Sequence, residues 1–169
     1  FYRYAAITYF INNDNKKLYE KKNLTVERIT KQLANIMRIM LVKRLESSFS
    51  AFKTTLINLR NYTDMMTDML SKDRIYICPD IDVSKIYQKA NGKFKNFCKE
   101  MDRQINRKGG NNRCFQDSDF NSEKYLEDLK HDHDRISELV DRWGQIYKDP
   151  KYDMFRQKIP ILFDPKINN

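Results

Sequence analysis

Residues 24–70, LTVERITKQLANIMRIMLVKRLESSFSAFKTTLINLRNYTDMMTDML, form the longest amphipathic pattern in the chain. The stretch contains neither Pro nor Gly, and its apolar side chains recur mostly at steps of three and four, the spacing of one helical face. Thr25 is a suitable N-cap. The pattern predicts either one helix about 70 Å long, at ~1.5 Å per residue, or two helices broken near residues 47–50, where serine side chains can bond back to the preceding turn.

Extra apolar side chains widen the stripe in the middle of this stretch, at Ile39, Leu41 and Val42. A helix with a wider apolar face is usually covered by neighbouring elements over more of its surface. We therefore expect this section to be buried on more than one side.

The chain after this stretch predicts a second helix. Residues 73–79 (DRIYICP) alternate around two isoleucines and are compatible with a short strand. Asp82 is a plausible N-cap, and apolar residues then recur at helical spacing as far as Gly109 and Gly110, which end the helix. Gly92 falls inside this pattern, where we interpret it as a single tolerated glycine.

A third helix follows a polar connection over residues 111–120 and opens at Ser122. A short helix is expected over residues 152–158. The chain then ends in IPILFDPKINN, residues 159–169, where two prolines argue against a further helix.

Residues 1–12 are mostly aromatic or apolar, which favours a short buried helix and leaves a strand as the alternative, whereas the polar residues 12–23 predict a loop or frayed end. Long amphipathic helices joined by connections of about 10–15 residues can pack as antiparallel neighbours. The predicted fold is all-α, an elongated helical bundle with long antiparallel helices and at most a minor short strand. We expect one helical domain over residues 1–169, divided into a long-helix arm (1–71), a basic helix region (72–120) and an acidic helix with a linker (121–169).

Charge points to the class of partner. The 32 Lys and Arg residues outnumber the 23 Asp and Glu residues, for a net charge of +9. This balance favours a polyanion partner through counterion release, although a solvated helical surface can have the same composition. Residues 85–113 are strongly basic and residues 114–142 strongly acidic, so either two helices of opposite charge pack together or a basic face is left for a partner. The candidate phosphate contacts are Lys85, Lys89, Lys93, Lys95, Lys99 and Arg103.

Catalytic and metal chemistry find little support in the sequence. The three cysteines, Cys78, Cys98 and Cys114, have no CxxC spacing, so we expect neither a disulfide framework nor a zinc site, and a reducing cytosol is the simplest compartment. Cys98 lies on an apolar stripe and is expected in the core. His131 and His133, the only histidines, stand two apart on a predicted helix and cannot share one ion or build a catalytic triad. We expect no catalytic residue, no metal site and no cofactor.

A short fragment and one glutamate are further candidates for chemistry. The NGKF fragment at residues 91–94 lacks the first glycine and the Ser or Thr of a phosphate-binding loop. Glu46 is a charge inside the wide apolar section and must be paired or face a partner. An i,i+3 pair with Lys43 is geometrically available, and an exposed ion pair on a thin polar face is the simplest interpretation.

Residues 38–56, RIMLVKRLESSFSAFKTTL, resemble a signature of bacterial helicases of the Swi/Snf type (HepA-like, superfamily two). In that family a helix of this pattern lies between two RecA-like motor lobes. The Trp143-containing helix and the following DPKYDMF (149–155) are similar to the linker helix that precedes the second lobe, whereas residues 73–120 have no counterpart. The matching positions in the first stretch are Leu41, Lys43, Arg44, Leu45, Glu46, Ser47, Ser48, Ala51, Phe52, Thr55 and Leu56.

The resemblance implies a non-catalytic helical insertion and linker between the two lobes of an ATP-dependent DNA or RNA translocase. Lys43 and Arg44 would pair with carboxylates or phosphates, Glu46 would fix their orientation, and Ser47 and Ser48 are contact candidates in the same element. ATP and magnesium are expected for the parent protein, whose nucleotide motifs have no matching positions here. We therefore expect no ATP hydrolysis by this chain alone.

The expected partners are the flanking lobes and nucleic acid, in the first place DNA. The chain begins with Phe rather than Met, so we interpret it as a piece of a longer, cytoplasmic polypeptide. No membrane partner is expected, because the longest apolar run spans residues 39–42 and a membrane helix needs about 20 residues. The alternative is a stand-alone helical module for protein–protein interaction or dimerisation, with the long helix as the dimer seam.

Overall fold

The computed structural model describes residues 2–20 and 24–162, and helices dominate it. The prediction of an all-α fold with at most a minor strand is confirmed. Two short 3₁₀ helices, Tyr2–Tyr9 and Asp117–Asp119, accompany the main elements. These are α1 (Asn13–Lys17), α2 (Val26–Ser47), α3 (Phe49–Ser71), β1 (Ile75–Ile77), α4 (Val83–Ala90), α5 (Phe94–Lys108), β2 (Arg113–Phe115), α6 (Ser122–Gly144) and α7 (Pro150–Leu162).

The long amphipathic stretch forms two helices that meet at Ser48, so the broken-helix alternative is the correct one. Thr25 caps α2 as expected, its hydroxyl accepting from the backbone N–H of Arg28 at 3.4 Å. Ser48 leaves the helical region with φ −164° and ψ 138°. Its hydroxyl then accepts from the N–H groups of Ser50 at 3.2 Å and Ala51 at 3.4 Å, which caps α3. One serine therefore ends one helix and starts the next.

The bend at Ser48 turns α2 back along α3. Their facing side chains form the smaller of two hydrophobic cores, closed from the other side by α6. Its buried members are Phe52, Leu56, Leu59 and Ile136, and Met37, Leu41, Leu45, Val140 and Trp143 pack around them. This hairpin is the long antiparallel pair that the sequence predicts.

The expectation that the middle of α2 is buried on more than one side is wrong. Among the residues of α2, Val26 alone is buried. Ile36, Ile39 and Val42 are 52%, 56% and 55% exposed. Apolar periodicity indicates which face of a helix favours burial. It does not show that another described part of the chain covers that face.

The larger core lies where α3, α5, α6 and the N-terminal segment meet around the small sheet. β1 and β2 pair antiparallel, with Tyr76 opposite Cys114. Cys98 is buried here, as expected. Phe10 stacks on Phe120 at 4.5 Å between ring centroids, which ties the N-terminal segment to the start of α6. The fully buried large side chains are Met69, Ile75, Phe97, Met101, Tyr125 and Leu129.

The second predicted helix is two helices, and interpreting Gly92 as a tolerated mid-helix glycine is wrong. Asn91 ends α4 in the left-handed region with φ 48°, and Gly92 follows with φ 78°. Asn and Gly are the residues that adopt this region at least cost, so the pair stops α4. The chain reverses, and α5 begins at Phe94 and packs against α4.

Four shorter segments also differ from expectation. One helical turn, α1, stands within the predicted loop, and β2 lies in the predicted polar connection. The N-terminal helix is of the 3₁₀ type. α7 extends to Leu162, beyond the predicted residues 152–158, so the expectation of no helix in residues 159–169 is wrong for residues 159–162. Pro150 stands at its first position, where a missing N–H costs little. The rest of that predicted segment, residues 163–169, lies outside the described residues.

The basic and acidic segments do not neutralise each other. α6 packs mainly on α3, whereas α4 and α5 pack on one another. None of the ion pairs between described residues joins residues 85–113 to residues 114–142. Of the two arrangements that the charge pattern allows, a basic face left uncovered is the observed one. No described helix is both long enough and apolar enough to cross a membrane.

Candidate nucleic-acid interface

The KRLESS element, residues 43–48, lies at the bend between α2 and α3, and the start of α7 is joined to it. The backbone N–H of Phe49 donates to Asp149 Oδ2 at 2.8 Å. The Lys151 ammonium donates to the backbone oxygen of Glu46. Two stretches separated by about a hundred residues of chain therefore form one local structure.

Asp149 caps two helices at once. While Oδ2 accepts from Phe49 at the start of α3, Oδ1 accepts from the N–H groups of Lys151 at 3.1 Å and Tyr152 at 3.4 Å at the start of α7. These hydrogen bonds, that from Phe49 foremost, lower the pKa of the Asp149 carboxyl below its ordinary value. The ionised carboxylate also faces the positive ends of two helix dipoles, which favours the same state.

Aromatic packing holds the end of α6 against the same bend. The Trp143 ring meets Phe49 at 5.1 Å and Phe52 at 4.8 Å between centroids, both edge to face. The Lys53 ammonium contacts the backbone oxygen of Ile146 and lies 5.9 Å from the centroid of the Tyr147 ring. The connection from α6 to α7 is thereby fixed on the first two turns of α3.

The KRLESS side chains divide between this packing and solvent. Leu45 turns towards the smaller core, and Ser48 is half-buried in its capping role. Lys43, Arg44, Glu46 and Ser47 are exposed. The i,i+3 pair between Lys43 and Glu46 that the spacing allows is not among the salt bridges of the described residues. Three charged groups thus remain at the surface beside the bend.

A second feature is a basic groove of about 750 Å³ between α4 and α5. It exists because the Asn91–Gly92 turn folds the two helices side by side. Of the predicted phosphate contacts, Lys95 and Lys99 are not among its lining residues. Two cations that the sequence analysis did not select also line it, and Arg107 could have been found as the i+4 neighbour of Arg103. The cationic lining residues are Lys85, Lys89, Lys93, Arg103, Arg107 and Lys108.

Glu100 organises the arginines of this groove. Its carboxylate accepts from Arg103 through two nitrogens, at 2.8 and 2.7 Å, and from Gln104 Nε2 at 2.7 Å. These bonds, with a smaller contribution from the charge of Arg107, lower the pKa of Glu100 to about 2. Gln104 in turn accepts from Arg107 at 2.8 Å. The two guanidinium groups are therefore held in place along one wall of the groove.

The other acidic lining residue, Asp82, is occupied as a helix cap. Its carboxylate accepts from the Ser84 hydroxyl at 2.7 Å and from the Lys85 N–H at 3.0 Å, and both bonds lower its pKa. No salt bridge between described residues involves Lys85, Lys89 or Lys93. The groove has six cationic groups and only two carboxylates, Glu100 and Asp82, which already accept hydrogen bonds. The groove is therefore strongly positive.

α5 is attached to the sheet through Asp102, on the other side of the helix from the groove. Arg74 Nη2 donates to both Asp102 oxygens at 2.8 Å, and the Tyr76 hydroxyl donates to Oδ1 at 3.0 Å. Desolvation by burial raises the pKa of Tyr76, so its hydroxyl keeps its proton. At the end of α5, the Lys108 ammonium contacts the backbone oxygen of Asp80. These contacts fix the arginine-bearing wall relative to the core.

Of the two histidines, His133 contacts α3, whereas His131 is exposed. His133 Nε2 lies 3.2 Å from Asp64 Oδ1 on α3. Within residues 2–20 and 24–162, no group of three or more His, Cys, Asp or Glu side chains is arranged to hold a metal ion.

Comparisons with known proteins add no assignment. No family model, curated protein or solved structure matches this chain.

Proposed function

We propose that this chain is a non-catalytic helical module between the two RecA-like lobes of an ATP-dependent DNA translocase of the Swi/Snf type, a cytoplasmic bacterial motor. Its role is to brace the lobes and to contact the nucleic-acid backbone. ATP and magnesium act in the lobes of the parent protein, and the chain itself hydrolyses nothing.

The observation that supports this proposal is the junction of the two helicase-like stretches. The KRLESS element and the DPKY segment are distant in sequence, and each resembles a different part of the family pattern. In the fold they share the Asp149 carboxylate, the contact of Lys151 with the Glu46 backbone, and the packing of Trp143 on α3. A brace between two moving bodies needs such a joint, because the segment that leads to the second lobe must be held by the helix that touches the first.

Uncovered apolar side chains on α2 and α7 support the same proposal. Ile36 and Ile39 on α2 are exposed, as are Met154 and Phe155 on α7. Faces of this kind mark contact sites for other protein surfaces. In the parent they lie against the lobes, with Lys43 and Arg44 at the margin of the α2 contact.

The test is an ATPase assay of the full-length parent with and without DNA, using Asp149→Ala and the matched control Asp153→Ala. We expect DNA to stimulate hydrolysis, and Asp149→Ala to lower the DNA-stimulated rate while sparing the basal rate. Asp153, which is exposed in the first turn of α7, should tolerate the change. The proposal would be overturned if the parent gene lacked either a P-loop upstream or a second RecA-like half downstream. An ATPase rate that DNA does not change would also overturn it.

The second candidate function is a stand-alone dimerisation module, favoured by one specific observation. A largely apolar groove of about 1110 Å³ runs between the first half of α2, α3 and the loop before α4. Together with the exposed stripe on α2, it could bury a helix of a second copy. Mass in solution separates the candidates, because a tight dimer of this chain favours the dimerisation module and a monomer favours the brace. The apolar residues lining this groove include Ile29, Leu33, Tyr62, Met65, Met66 and Val83.

A further inference from the structure

We propose that the groove between α4 and α5 takes the phosphodiester backbone of a single nucleic-acid strand, not a duplex. This inference deepens the nucleic-acid contact in the proposed function and rests on it. The residues concerned lie in the segment 73–120, to which the helicase resemblance does not extend.

The cations stand on both walls of the groove and at its turn. Lys85 and Lys89 are one helical turn apart on α4, Arg103 and Arg107 are one turn apart on α5, and Lys93 lies in the connecting turn. Lys93 at the turn and Lys108 at the last position of α5 stand at opposite ends of this helix, whose 15 residues measure about 22 Å at ~1.5 Å per residue. The positive charges therefore follow a line of this length and could track several consecutive phosphates.

The width of the groove selects the form of the nucleic acid. Packed helices have axes about 8–10 Å apart, so the groove between them is narrower than a duplex, whose major groove alone is ~12 Å wide. A duplex would touch only the rims of the groove. A single strand can lie along its floor and meet cations from both sides.

The lining also predicts which part of the strand is bound. The apolar groups in the groove are the aliphatic side chains of Ile81, Ile86 and Ala90, and none of the described lining residues is aromatic. Base stacking, which needs aromatic faces, has no support there. Binding should depend on phosphates, with little preference among bases.

The experiment measures the anisotropy of labelled oligo(dT), oligo(U) and a mixed-sequence duplex of the same length, between about 50 and 200 mM salt. Lys89→Gln/Arg107→Gln removes one cation from each wall. Lys95→Gln/Lys99→Gln makes the same change in net charge on α5 residues outside the groove and is the matched control. Circular dichroism checks that both variants keep their helices.

We expect a single strand to bind more tightly than the duplex, and the groove variant to bind several-fold more weakly than the control. The plot of log affinity against log salt should flatten by about 1.4 in the groove variant, at ~0.7 for each lost phosphate contact with a single strand. The control should keep the slope of the unmodified chain. Whether oligo(dT) or oligo(U) binds better assigns the source of the strand.

Three outcomes would overturn the inference. Equal weakening by both variants would mean that the total charge, and not the groove, is what binds. Duplex binding that is tighter than single-strand binding and unaffected by the groove variant would also overturn it, while leaving the proposed function intact. Absence of binding to every nucleic acid, even at the lowest salt, would overturn both.

Discussion

The carboxylate of Asp149 lies 2.8 Å from the backbone nitrogen of Phe49, a hydrogen bond across 100 positions of sequence. The bond joins the start of α3 to the start of α7 and connects the KRLESS element to the DPKY segment. A single ionised side chain therefore closes a loop that includes α3 to α6.

Replacing Asp149 by Ala should lower the melting temperature by several degrees and make that loss pH-dependent. The folded-state pKa is depressed, so the stabilisation is fully present above the unfolded value of about 3.9 and is lost as pH falls through the folded value. The difference between the unmodified chain and Asp149→Ala should be largest near neutral pH and shrink in acid. Thermal unfolding measured across that range checks this, and a difference that grows on acidification would contradict it.

Ser48→Ala should lower the free energy of unfolding by about 1 kcal/mol, because α3 loses its N-cap. The hydroxyl accepts from two backbone N–H groups, which the methyl group of Ala cannot do. Ser47→Ala is the control, since Ser47 is exposed at the last position of α2 and should change stability by less than about 0.5 kcal/mol. Urea titration of both variants measures the difference, and equal effects would show that Ser48 does not act as a cap.

Leu56→Ala should lower the free energy of unfolding far more than Ile57→Ala, although the two residues are adjacent on α3. Leu56 is 1% exposed in the smaller core, whereas Ile57 is 41% exposed. We expect a loss of about 2–5 kcal/mol at Leu56 from lost transfer energy and a cavity, and little change at Ile57. Denaturant unfolding compares them. Comparable losses would mean that Ile57 is buried in solution, as it would be in a dimer.

Gly92→Ala should lower the free energy of unfolding, whereas Gly144→Ala should raise it. Gly92 has φ 78°, where a Cβ is strained, so alanine should cost about 1–2 kcal/mol. Gly144 is the last residue of α6, and nothing lies within 4 Å of an added Cβ, so alanine should stabilise by about 0.4–1 kcal/mol. Melting temperatures test the signs, and stabilisation by Gly92→Ala would mean that α4 and α5 can join into one helix.

The sequence predicted helix ends well at positions where a residue type strongly favours a cap or a break. Thr25 and Asp82 cap helices as expected, and the serine run marks the break between α2 and α3. The pattern around Gly92 is misleading because a lone glycine is often tolerated in a helix. Its neighbour Asn91 is the better indicator, since both residues adopt positive φ.

Long-range features could not be predicted in the same way. Nothing in the pattern of residues 143–152 indicates that Asp149 reaches the N–H of Phe49, because that distance depends on how α6 packs on α3. The basic residues of the second helix were found by composition, but the sequence did not separate the groove cations from Lys95 and Lys99. That separation needs the reversal at Asn91–Gly92, which creates the groove.

The described part of α7 meets the rest of the chain mainly through its first turn, while residues 150–158 are exposed along the helix. A force applied to the exposed part of α7 would therefore act on the contacts of the Asp149 carboxylate and the Lys151 ammonium. Those two groups sit directly on the bend between α2 and α3, so the load would tend to open or close the angle of the hairpin. The start of α7 and the bend between α2 and α3 are therefore mechanically coupled through Asp149 and Lys151.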